Sequence, residues 1–95
     1  MDRVHCFGQA VRKFRQANSL SQEKLAELAG LHRNLIGLVE RGKVSASVES
    51  IYSICDALGI KATDLFNEAE ELFNALQTAL TGSRRTQPRR SKLEL

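Results

Sequence analysis

From Val4 onward, apolar side chains return every three or four positions, the repeat that lays one stripe along a helix. Val4, Phe7, Val11 and Phe14 follow a 3, 4, 3 spacing and define a first helix, which Asn18-Ser19 is suited to stop. Ser21 is a good N-cap for a second helix with apolar positions Leu25, Ala26, Leu28 and Ala29, closed by Gly30 after barely two turns. Past Leu31 the pattern resumes from His32 to Arg41 and stops at Gly42.

Two short helices around one glycine predict a helix-turn-helix. Ser47 then caps a fourth helix whose inner face is Val48, Ile51, Ile54, Cys55 and Leu58, with Gly59 as its stop. Ile60 to Phe66 reads as a short fifth helix. Asn67 with Glu70 three residues on has the spacing of a capping box and predicts that a separate helix opens there. That helix carries Ala69, Leu72, Phe73, Leu76 and Leu80 on one side and ends at Gly82. Gly82 to Leu95 reads as a polar, arginine-rich disordered tail.

Composition narrows the class. A chain of 95 residues is one domain by size, and folding buries only about two-thirds of its unfolded surface. With 42% hydrophobic and 26% charged residues it is too apolar for wholesale disorder, and no apolar run approaches the roughly 20 residues of a membrane span. One proline, one tyrosine and no tryptophan argue against a sandwich or barrel, so an all-α soluble fold is expected, with no membrane partner. Cys6 and Cys55 lie far apart with no signal-peptide-like segment before them, which points to a reducing, cytoplasmic setting and to small core residues. His5 and Cys6 are adjacent but lack a Cys-x-x-Cys or His-x3-His partner, so no metal or other cofactor is expected. No phosphate-binding glycine loop and no nucleophile-base signature is present, which argues against an enzyme.

The net charge of +3 hides an asymmetry. Residues 1–45 carry eight basic and four acidic groups. Residues 46–81 set Lys61 alone against Glu49, Asp56, Asp64, Glu68, Glu70 and Glu71. Residues 82–95 return five basic groups against Glu94. A basic first half suits a surface that faces a polyanion, and an acidic middle should face away from it.

The run Leu20-Ser21-Gln22-Glu23-Lys24-Leu25-Ala26-Glu27-Leu28-Ala29-Gly30-Leu31, followed by Ile36-Gly37-Leu38-Val39-Glu40-Arg41-Gly42, resembles the phage-repressor and Cro-like (XRE) helix-turn-helix family. The likeness extends over about residues 7–66, because Ile51, Ala57-Leu58-Gly59-Ile60 and Asp64-Leu65-Phe66 also match. It implies a compact five-helix lambda-repressor-like DNA-binding domain, to which this chain adds the helix over 67–81 and the tail. In that family the second helix of the pair enters the major groove and reads bases from its N-terminal part. The resemblance puts Arg33, Asn34 and Leu38 at base edges: Arg33 suits guanine O6 and N7, Asn34 suits adenine N6 and N7, and Leu38 can touch only a thymine methyl. Gln22, His32, Arg41, Lys43 and Ser45 are the expected phosphate contacts, Ser47 a weaker one. His32 either meets phosphate, in which case its protonation should strengthen binding, or merely caps its helix. Glu40 is expected to pair with Arg12 or Arg15, and Leu35 to graze the sugar-phosphate wall or a dimer neighbour. Leu25, Leu31, Ile36 and Val39 should bury the inner faces, and small Ala26 and Ala29 let the helices cross closely.

One such domain covers few base pairs, so a homodimer on a double-stranded, palindromic operator is expected. Leu72, Phe73, Leu76 and Leu80 form its expected seam, with packing on the chain's own domain as the alternative. Arg84-Arg85 and Arg89-Arg90, around Pro88, make the tail either a solubilising end or an arm that follows phosphate. The rival functional class is an antitoxin-like module whose last helix binds a partner protein.

Overall fold

The computed structural model describes residues 2–81, as five helices: α1 (Arg3–Ala17), α2 (Gln22–Ala29), α3 (Arg33–Glu40), α4 (Val48–Leu58) and α5 (Ala62–Thr81). Each helix starts where a short polar side chain takes up a free backbone N–H. Asp2 accepts from His5 at 2.8 Å, Ser21 from Lys24 at 2.9 Å and Ser47 from Ser50 at 3.0 Å. At the head of α5 the Asp64 carboxylate accepts from the Lys61 N–H at 3.1 Å, the returning half of a capping box.

The core is one cluster fed by all five helices. Ala10 and Val11 of α1, Leu25 and Ala26 of α2, Ile36 and Val39 of α3, Ile54, Cys55 and Leu58 of α4, and Leu65 and Ala69 of α5 are buried in it. Leu31 is half-buried at its edge, and Cys6 and Cys55 are both buried free thiols. Gly8 shows how tightly α1 crosses the end of α3. A Cβ on it would lie 2.1 Å from the Val39 carbonyl oxygen, closer than any real contact, so only glycine permits the crossing.

Two expectations are corrected. No helix boundary forms at Asn67: α5 runs unbroken through it. Ala62, Leu65, Ala69 and Leu72 keep a 3, 4, 3 spacing across Asn67, so one face stays on the core and the capping-box residues lie in mid-helix. Val48 is not on the inner face of α4; as the first residue of the helix it is 68% exposed, and burial begins one turn later at Ile51.

α5 lies chiefly against α1. Phe7 and Phe66 meet with ring centroids 5.3 Å apart, the Arg3 guanidinium sits 4.1 Å from the Phe73 centroid and pairs with Glu70, and Lys13 pairs with Glu68 at 2.9 Å. Glu68 and Glu70 of α5 thus face basic groups of α1. The Arg-rich tail, with Arg84, Arg85, Arg89 and Arg90, lies outside the described residues. Among the described residues no helix is long and apolar enough to cross a membrane.

Candidate nucleic-acid interface

The turn between α2 and α3 fixes the geometry of the site. Gly30 adopts φ +71°, the left-handed region that side chains with a Cβ resist, and Leu31 N–H returns to the Ala26 carbonyl at 2.9 Å. His32 then caps α3: its Nδ1 accepts from the Asn34 N–H at 3.0 Å. An imidazolium carries a proton on both ring nitrogens and cannot accept, so this cap exists only with the neutral ring. Any gain that protonation brings at a phosphate is therefore opposed by loss of the cap.

Behind the two helices sits a buried polar network. Glu40 is 2% exposed and accepts from Arg15 Nε at 2.6 Å and Arg15 Nη2 at 3.0 Å, a two-pronged pair, while Arg15 Nη1 donates to the Leu20 carbonyl at 2.8 Å. Of the two partners expected for Glu40, the fold selects Arg15. Gln22 Nε2 donates to the same Glu40 carboxylate at 3.0 Å. This ties the first residue of α2 to the last residue of α3 and holds the Gln22 amide in place.

In front of the network the two helices enclose an open cleft of about 470 Å³, lined by Gln22, Glu23, Arg33, Asn34, Gly37, Leu38 and Arg41. Arg33, Asn34 and Arg41 are exposed, and Leu38 is half-buried between them. Gly37 forms the floor, with Arg41 Nη1 and Gln22 Oε1 lying 3.2 and 3.4 Å from where its Cβ would be. Two guanidinium groups, two side-chain amides, the Glu23 carboxylate and one apolar side chain therefore converge on one accessible face, while the Glu40 charge is matched by Arg15 behind it.

The helix-turn-helix family pattern matches residues 11–65, more than half of the chain. The chain belongs to the helix-turn-helix family. It is 45% identical over 62 residues to the control protein C.BamHI of Bacillus amyloliquefaciens, covering 64% of this chain and 76% of that protein. To the control protein C.SmaI of Serratia marcescens it is 38% identical over 65 residues, 68% of this chain and 77% of that one. Among solved structures it is similar to the restriction-modification controller protein C.AhdI from Aeromonas hydrophila, at 44% identity and TM-score 0.64 over 65% of this chain and 94% of that chain. The clp gene regulator ClgR from Corynebacterium glutamicum superposes with TM-score 0.79 at 30% identity, covering 86% of each chain.

Within this helix-turn-helix domain the sequence-expected residues divide. Arg33, Asn34, Leu38, Gln22 and Arg41 share the cleft, whereas His32 lines a separate depression with Glu23, Glu27 and Arg33. Lys43 and Ser45 do not line it; they lie exposed on the loop after α3. Leu35 is half-buried against the core. Leu72 packs on the core and Phe73 lies under Arg3, whereas Leu76 is half-buried and Leu80 is 75% exposed. Sequence reading assigned no role to Glu23, whose Oε2 lies 3.5 Å from Arg33 Nη1. The available signal was an acidic residue in the first turn of α2 with an arginine at the start of α3. Among the described residues no three His, Cys, Asp or Glu side chains gather as metal ligands.

Proposed function

We propose that this protein is a sequence-specific DNA-binding transcription regulator that works as a homodimer on a palindromic operator, with α3 in the major groove. The observation that carries this reading is the cleft at the head of α3. Arg33 and Asn34 stand exposed on a helix whose diameter of roughly 10–12 Å fits a groove roughly 12 Å wide, and the network behind them fixes the two helices relative to each other. In this reading Arg33 and Asn34 bond base edges and Leu38 meets a thymine methyl. Gln22, His32, Arg41, Lys43 and Ser45 hold the phosphates on either side. The domain needs no cofactor for this task.

The similarity to C.BamHI, C.SmaI and C.AhdI favours control of a restriction-modification system over the other regulatory settings. For the dimer, half-buried Leu76 and exposed Leu80 offer apolar surface that continues the stripe begun by Leu72 and Phe73.

The test is selection of bound sequences from random duplex DNA by the purified protein at two salt concentrations. A palindrome with half-sites about one helical turn apart, roughly 34 Å, is expected. Arg33→Ala should cost about 1–3 kcal/mol and relax preference at one base pair, whereas Lys43→Ala should weaken all duplexes alike and flatten the salt dependence. Recovery of no motif, or an Arg33→Ala protein with the original preference, overturns the reading.

A further inference from the structure

Glu23 is out of place on a surface that faces phosphate. Its charge is repelled by the backbone, and neither base reading nor phosphate binding as described above uses it. Its position is nonetheless well defined. As the second residue of α2 it sits where the helix dipole favours a negative charge. Its Oε2 lies across the turn, 3.5 Å from Nη1 of Arg33. Arg33 is the first residue of α3, where the same dipole disfavours a positive charge, so Glu23 supplies the counter-charge that the helix end does not. Both side chains line the cleft that contains Asn34, Leu38 and Arg41.

The side chains are 65% and 71% exposed, so the pair contributes little to folding stability. What it controls is orientation. The guanidinium carries its five N–H donors in a rigid planar fork, and a carboxylate at Nη1 leaves the Nε–Nη2 edge free, the two-donor edge that guanine O6 and N7 require. When the site is dried against a groove, the attraction between the two charges grows severalfold over its value in water. On DNA without the right base, Arg33 can reach a phosphate only by leaving Glu23, and Glu23 itself repels that phosphate.

We propose that Glu23 is a positioning and specificity residue for DNA reading, bracing Arg33 edge-on to the groove and penalising its use on the backbone. The inference rests on the base-reading role of Arg33 proposed above. It is tested with the full chain as wild type, Glu23→Gln, Arg33→Ala and the double variant. The probes are the duplex recovered by selection, that duplex with the Arg33-dependent base pair replaced, and a mixed-sequence duplex lacking the site. Glu23→Gln should lower the preference for the correct base pair by about three- to tenfold, tighten binding to mixed-sequence DNA and move the thermal midpoint by no more than a few degrees, the loss of one charge at the head of α2. In the Arg33→Ala background it should leave base preference unaltered. Base preference within twofold of wild type, equal weakening on every duplex, or the same loss without Arg33 would each overturn the role of Glu23 while leaving Arg33 as a reader. A wild type whose preference survives Arg33→Ala removes both.

Discussion

Replacing Glu40 by alanine probes the device that joins the fold to the site. The carboxylate is 2% exposed and accepts three hydrogen bonds, two from Arg15 and one from Gln22. Its removal leaves the Arg15 guanidinium, with 11% of its side chain exposed, holding only the Leu20 carbonyl. Breaking a buried ion pair from one side costs about 3–5 kcal/mol, because the remaining charge stays desolvated. A folded body of 80 described residues is worth roughly 4–12 kcal/mol in total, so the variant should lose about a quarter or more of its stability. At about 4–8 °C per kcal/mol the midpoint should fall by roughly 12–40 °C. Urea unfolding followed by far-ultraviolet circular dichroism measures this, with an unchanged denaturant slope as the check that the unfolded state is the same. Arg15→Met combined with Glu40→Leu should recover most of the loss, since no charge is then stranded. A cost below about 1 kcal/mol for Glu40→Ala would refute the view that this carboxylate is buried and indispensable.

Gly8→Ala places a methyl 2.1 Å from the Val39 carbonyl, and its unfolding free energy should drop by about 3 kcal/mol or more as α1 is pushed off α3; a normal urea midpoint would contradict that crossing. Burial pushes the Cys6 and Cys55 thiols above their ordinary range; Asp56 and Asp64 add to it at Cys55, whereas at Cys6 nearby positive charge, Arg3 included, opposes the effect of Asp2 and Glu70. The sign follows from the unfolded chain: it releases thiol protons first, so stability is intact below about pH 8.5 and declines as pH rises through the thiol range, by at most about 1.4 kcal/mol per pH unit for each thiol. Cys55→Ala should flatten that decline in urea titrations at pH 8 to 10. His32→Ala removes the α3 cap and should cost about 1 kcal/mol, most of which His32→Asn restores; equal stability of the alanine variant would mean that the cap carries no energy. Leu76→Glu should shift sedimentation from dimer to monomer, and an unchanged dimer would place the seam elsewhere than on α5.

The sequence by itself determined the local structure and the class. Ser21, Ser47, Gly30 and Gly59 mark helix ends through effects that act within a few residues, capping and left-handed φ, so they are legible without a fold. The 3, 4 spacing named most of the core for the same reason: helical geometry alone puts those side chains on one face. The cleft-lining candidates followed from the resemblance to the phage-repressor and Cro-like family, which assigns roles to positions around the turn. Tertiary structure decided what depends on distant partners. Whether the stripe of α5 breaks at Asn67 is settled by the continuous face that α1 and the core present to it, and a capping-box spacing cannot outweigh that burial. Why Arg15 and not Arg12 meets Glu40, why Val48 is bare and why Glu23 reaches Arg33 are questions of which helix ends come together. They depend on crossings such as that of α1 over α3 at Gly8, which spacing along a chain does not encode.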